Sequence, residues 1–177
     1  MTEEQGLFIL SDVPHDVSSR AFSSIADRLI TLLPYAEIEH VGSTAVPGCV
    51  GKGDIDILVR VREPDFPAAA AALDTLLVRS TRNDPTDVYI EYDWQRDGVS
   101  ASVQLVTAGS LLDRRFRGLK SALLGDPRAI DRYNSLKVGC AGQPMELYRA
   151  RKAALIDELL AGVDGRLDIP VRPGVSD

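Results

Sequence analysis

Two aspartates one residue apart, Asp54 and Asp56, interrupt the apolar run "DIDILVRV". Side chains alternate along a strand, so both carboxylates point to one face, about 6 to 7 Å apart, while Ile55 and Ile57 point to the other. Strand interiors are depleted in aspartate, because a buried carboxylate needs a partner. A cation between the two acids relieves their repulsion, and hard oxygen ligands beside a substrate phosphate suit Mg²⁺, with Mn²⁺ as the alternative. One or two such ions polarise a phosphoryl group and activate an attacking oxygen. Gly42 and Ser43 precede the pair. Glycine lets backbone approach a ligand, N–H groups at a turn bind phosphate, and the serine hydroxyl adds a donor. Either feature alone is commonplace. In this order, strand, Gly-Ser, short spacer, Asp-x-Asp, they put phosphate donors and metal carboxylates in one cleft.

The elements that must position these residues follow from periodicity and punctuation. "GLFILSD" (6–12) reads as a short edge strand. Apolar residues from Ser18 to Leu33 recur at helical spacing, with Asp16 or Ser18 as caps and Pro34 as the stop. "AEIEHV" (36–41) alternates as a strand and runs into Gly42; "STAVPG" then leaves room for about one helical turn before Pro47-Gly48 reverses the chain. After "DIDILVRV" an alanine-rich helix is expected from Asp65 to Arg79. Strands at 87–95 and 99–108 form an antiparallel hairpin around Arg96, Asp97 and Gly98. Three helices complete the order, capped by Ser110, opened by Asp126-Pro127, and opened by Pro144. Mixed sheet with segregated helices is an α/β (α+β) architecture.

The chain has 177 residues, 45% of them hydrophobic, which suits a single domain over 1–163 followed by a flexible tail at 164–177. A formal net charge of -6 argues against a general nucleic-acid binder, although Arg114, Arg115, Arg117 and Lys120 form a local basic strip that keeps RNA open. No apolar run is long enough to cross a membrane, and the N-terminus lacks the pattern of a signal peptide. Cys49 and Cys140 have no metal or redox spacing and read as free thiols of a cytoplasmic protein.

Gly42-Ser43, the spacer and Asp54-Ile55-Asp56-Ile57 resemble the signature of the nucleotidyltransferase (polymerase-beta-like) superfamily. The longer string "EHVGSTAVPG…KGDIDILVRV" is more similar still to the GrpB family, which is grouped with those enzymes. The similarity continues through "VQLVTAGS", "FRGLKSALLGDPRAIDRYNSLK" and "MELYRARKAAL", covering roughly residues 6–160. This resemblance implies a twisted mixed sheet with flanking helices, a helical C-terminal third, and a cleft binding a nucleoside triphosphate such as ATP with Mg²⁺. It implies that Gly42, Ser43 and Thr44 hold phosphates and that Asp54 and Asp56 ligate the metal. Lys52 in "KGD" is either a phosphate contact or a solvated loop lysine. Tyr133 and Lys137, and Tyr148 and Lys152, stand at i and i+4 on their helices. They are walls for base or acceptor, or tyrosines packed under snorkelling lysines.

One position departs from the superfamily pattern. A third carboxylate is expected on a later strand, but in "SASVQLV" Ser102 and Gln104 share the face. Gln104 can ligate through its carbonyl oxygen and cannot accept the acceptor's proton. Glu91 or Asp93 on the partner strand would be the substitute, unless they are surface acids. His40 lines the cleft or is structural, and Arg60 shares the face of the aspartates and neutralises them. The expected function is nucleotidyl transfer from a nucleoside triphosphate to an acceptor, a small molecule rather than nucleic acid. The alternative is a catalytically degenerate nucleotide- or anion-binding module of the same fold.

Overall fold

The computed structural model describes residues 6–161 apart from Asp12 and Asp97. The expected tail at 164–177 lies outside the described residues, as does Asp97 in the hairpin connection. Five strands form one sheet: β1 (Glu37–Val41), β2 (Ile55–Val61), β3 (Val78–Arg79), β4 (Tyr89–Arg96) and β5 (Val99–Thr107), in the order β1-β2-β5-β4-β3. Only β2 and β5 are parallel; every other pair is antiparallel. The two central strands therefore come from the Asp-x-Asp segment and the second arm of the hairpin. Around them lie helices α1 (His15–Leu32), α2 (Phe66–Asp74), α3 (Leu111–Gly125), α4 (Pro127–Cys140) and α5 (Met145–Ala161).

The period-2 alternation sorts side chains onto two faces. Ile57, Val59, Val103, Leu105 and Tyr92 face α1 and α2, where Leu29, Leu33, Phe66 and Leu73 complete the main core. The opposite face holds Val41, Leu58, Tyr89 and Val106 against Leu112 and Phe116 of α3. Asp56, Ser102 and Gln104 belong to this second face. Leu119, Leu123, Ala129, Tyr133 and Leu155 join α3, α4 and α5 in a separate cluster, so the helical third is packed as a unit over one end of the sheet.

Three elements differ from the sequence expectation. The 6–12 run is not a sheet strand: it makes isolated bridges from Leu7 to Pro144 and from Ser11 to Gly51, because Phe8 is buried against Cys140 and Tyr148. Helix α1 starts a turn earlier than Ser18, after Pro14, and neither Asp16 nor Ser18 caps it. Asp16 pairs with Arg20 at 2.8 Å inside the first turns, and the buried Ser18 hydroxyl donates to His15 O and Thr44 O. Helix α2 ends at Asp74 rather than Arg79. The Thr75 hydroxyl donates to Ala72 O at 2.7 Å, and Val78 and Arg79 pair with Asp93 and Tyr92 as an edge strand, where a β-branched residue fits. The caps of α3 and α4 form where expected, Ser110 accepting from Asp113 N and Asp126 from Arg128 N. Among the described residues no helix is long and apolar enough to cross a membrane.

Candidate active site

Chain direction at the end of β1 is set by Gly42, whose φ is +73°. A side chain here is excluded twice over. The left-handed backbone disfavours it, and a Cβ would overlap the carboxylate of Asp56. Gly42 therefore lets the β1 exit and Asp56 on β2 pack in contact. Ser43 opens a one-turn 3-10 helix (Ser43–Ala45), and the returning loop passes so close that a Cβ on Gly51 would lie 2.6 Å from Ser43 Oγ. Two hydrogen bonds hold this loop to α4: Asn134 Oδ1 accepts from Val50 N at 2.9 Å, and its Nδ2 donates to Gly48 O at 2.7 Å. Lys137 Nζ adds a third, to Val50 O at 2.6 Å.

The loop delivers Lys52, Asp54 and Asp56 to a cleft of about 300 Å³ between the sheet end and helices α3, α4 and α5. Asp54 lies one residue ahead of β2, exposed and paired with Lys52 at 3.0 Å. Asp56 is within β2, facing Val41 and Ser102 across its two neighbours. Its carboxyl is pushed up to about 6, chiefly because burial removes water from the charge; Lys152 opposes this and Asp54 and Glu91 add to it. Such a group favours a bound cation or proton. Gln104 Nε2 donates to Asp56 Oδ1 at 3.4 Å, and its buried Oε1 has no hydrogen-bond partner among the described residues.

Tyr133, Lys137, Tyr148 and Lys152 all reach this cleft. Lys137 Nζ lies 4.0 Å from the Tyr133 ring centre, and burial pulls its amine down to about 7. Lys152 lies over Tyr148, whose ring stacks on Phe8 at 3.7 Å. Burial raises the phenols of both tyrosines, which share a hydrogen bond.

Five candidates sit elsewhere. Arg60 does not neutralise the aspartates: it clamps Asp113 at 2.6 and 3.1 Å and also pairs with Glu37, so it ties β2 to the start of α3. Glu91 is neither a surface acid nor a cleft group. It is buried and held by Arg82, Asn83 and Ser102; those hydrogen bonds outweigh burial and keep its carboxyl below the usual range. Asp93 pairs with the same Arg82 at 2.5 Å. His40 stacks on Phe22 with centroids 4.7 Å apart and meets Thr44 Oγ1 at 3.0 Å. Thr44 also donates to Asp54 O at 3.2 Å, which makes both residues braces behind the Gly42–Ser43 turn.

The basic strip on α3 is largely spent within the molecule: Arg117 and Lys120 pair with Glu39 and Arg115 with Asp157. Sequence reasoning missed the apolar wall, Leu112, Phe116 and Leu119 of α3 with Ile156 of α5, and it missed Arg149. The signal for α5 was present. Met145, Tyr148/Arg149, Lys152 and Ile156 recur at helical spacing, and the Tyr148–Lys152 pair is only the middle of that row.

A family model described as GrpB protein matches residues 13–161. A UPF0157 protein of Vibrio cholerae is 36% identical over 136 residues, 75% of this chain and 70% of its own length. A second UPF0157 protein, from Deinococcus radiodurans, is 30% identical over 162 residues, 89% of this chain and 83% of its own. The crystal structure of conserved protein GrpB from Enterococcus faecalis superimposes with a TM-score of 0.62 at 18% identity, over 82% of this chain and 91% of that one. A structure of Cid1, which has RNA terminal uridylyl transferase activity, gives a TM-score of 0.50 at 15% identity, over 73% of this chain and 41% of that one. At these identities the structural likeness is one of fold.

Proposed function

The chain belongs to the GrpB family, and from that membership and its nucleotidyltransferase-like fold we propose that the cleft binds a nucleoside triphosphate with Mg²⁺ and transfers a nucleotidyl group. The observation that carries the reading is the contact between Gly42 and the Asp56 carboxylate. It brings a phosphate-binding turn and a carboxylate pair into one cleft, a packing that stability alone does not require.

The residues present fit a hard divalent ion. Asp54 and Asp56 offer charged oxygens, and Gln104, whose Nε2 contacts Asp56, would offer a neutral one through Oε1 on turning its amide over. Among the described residues no group of three or more His, Cys, Asp or Glu side chains could hold a metal. The remaining ligands would therefore be phosphates and water, which Mg²⁺ accepts. When bound, the ion would polarise the α-phosphoryl group. The chain's own part is positional. Ser43 and the backbone after Gly42 hold phosphate oxygens, and Lys52 and Lys137 offset their charge. The acceptor oxygen bonds to the α-phosphorus as the α–β bridge breaks, pyrophosphate leaves, and the hydroxyl proton passes to water, since Gln104 cannot take it. The same reading places the protein in the cytoplasm, where Cys49 and Cys140 remain free thiols.

The experiment is calorimetry of Mg²⁺ with α,β-methylene-ATP. Asp56→Asn keeps the shape of the side chain and removes the charge, so affinity should fall about tenfold or more while the circular dichroism spectrum is unchanged. Equal affinity in both proteins removes Asp56 from the ligand set. The second reading, a nucleotide-binding module without transfer, is favoured by one arrangement: the nearest further acid, Glu91, is sequestered by Arg82.

A further inference from the structure

Five cationic side chains and two carboxylates line the cleft, in a chain whose net charge is -6. The cations are unevenly occupied. Lys52 pairs with Asp54, Lys137 is fixed on Val50 O, and Arg115 pairs with Asp157. Arg149 is exposed, and among the described residues its guanidinium has no hydrogen bond, ion pair or ring contact. Lys152, one turn on, lies over Tyr148; among the described residues it has no salt bridge, although its charge is felt by Asp56. Both belong to α5, a different element from the Gly42–Ser43 turn, where Ser43 Oγ, Gly51 and Lys137 Nζ already crowd together.

We propose that the acceptor is a small hydroxylated molecule carrying an oxyanion, a carboxylate or a phosphate, which docks on Arg149 at the mouth of the cleft with its hydroxyl turned toward Asp56. This rests on the nucleotidyl-transfer reading. A guanidinium fork matches either oxyanion with two parallel hydrogen bonds, and a free arginine beside a lysine repels an amine-bearing acceptor. A nucleic acid is disfavoured by the surroundings. Among the described residues, three of the four α3 cations, Arg115, Arg117 and Lys120, are turned to Asp157 or Glu39, which breaks up a basic track leading away from the cleft.

The test uses the full chain loaded with Mg²⁺ and α,β-methylene-ATP, titrated with glycerol 3-phosphate, D-glycerate, glycerol, spermidine and a short oligo(A) RNA. At least one of the two anions should bind about tenfold or more tighter than glycerol, and which one does so identifies the oxyanion. Arg149→Gln should erase that preference and leave the nucleotide affinity and the melting temperature unchanged. Equal binding of anions and glycerol, preference for spermidine, or tight oligo(A) binding with steep salt dependence each overturns the proposal, the last in favour of nucleic acid. So does a variant that loses nucleotide affinity instead, because Arg149 would then serve the triphosphate. Absence of nucleotide binding in the wild type defeats the transfer reading and this inference together. Intact nucleotide binding with no anion preference defeats this inference alone.

Discussion

Gln104 stands where the resemblance expects a third acid, buried between Asp56, which its Nε2 contacts, and Glu91, its cross-strand neighbour. Gln104→Glu is nearly isosteric but would crowd a third carboxylate against two others. In EDTA the variant should melt below wild type, and Mg²⁺ should recover much of the loss; a melting temperature indifferent to Mg²⁺ would place the ion elsewhere. If the variant also gains a proton acceptor, transfer or slow triphosphate hydrolysis should rise by about 10²-fold. His40 makes a separate prediction. Burial, then the nearby charges of Lys120 and His15, hold its imidazole down to about 4 against 6.5 in the unfolded chain. Above pH 6.5 both states are neutral and the packing on Phe22 and Thr44 counts in full. Between 6.5 and 4 only the unfolded chain takes the proton, so stability falls as pH falls, by up to about 3 kcal/mol. Urea unfolding of wild type minus His40→Gln isolates this slope, because shared groups such as Asp56 cancel; a flat difference means a solvated imidazole. That Gly42, Ser43, Asp54 and Asp56 share one cleft was legible because they lie close together in the sequence. Arg60 and Glu91 were not, because the groups that claim them, Asp113 and Arg82, are chosen by the fold, the first 53 residues away.

At the scale of elements, α4 brings Tyr133 and Lys137 to the cleft and also acts on it through a residue outside the cleft. Asn134 satisfies both a donor and an acceptor of the 48–50 backbone, the loop from which Lys52 and Asp54 emerge. Asn134→Ala should destabilise the protein by about 1–3 kcal/mol and weaken Mg²⁺-nucleotide binding, whereas Asn134→Asp, which keeps the acceptor for Val50 N, should recover part of both. Chemical denaturation and calorimetry on the two variants check this, and unchanged nucleotide affinity in Asn134→Ala would make the staple merely structural. Helix starts were readable where a side chain announces them, as with Ser110 and Asp126. The start of α1 was misread because proline geometry decides it, at Pro14, and the end of α2 because a short edge strand takes over the helical pattern, at Val78–Arg79. The role of α5 was half visible because its buried residues, Tyr148 and Leu155, stand two turns apart on one face with few apolar neighbours, which leaves a sparse apolar stripe.

For the molecule as a whole, the α/β class and the hairpin followed from sequence patterns, but the parallel pairing of β2 with β5 did not. That pairing joins segments separated by a helix and two strands, and register is set by which faces are buried once the chain has folded. The two walls of the cleft are pinned at one side, where Asn134 and Lys137 fasten the helical third to the loop. The natural route for the proposed transfer is the other side, past the exposed Arg149. Traffic confined to that side would impose a sequence on arrivals and departures. Nucleotide has to load before the acceptor stands in the entrance, and pyrophosphate has to wait behind the finished product. Steady-state kinetics should be compulsory-order with nucleotide first and pyrophosphate last; a random-order pattern would mean that the pinned side also opens.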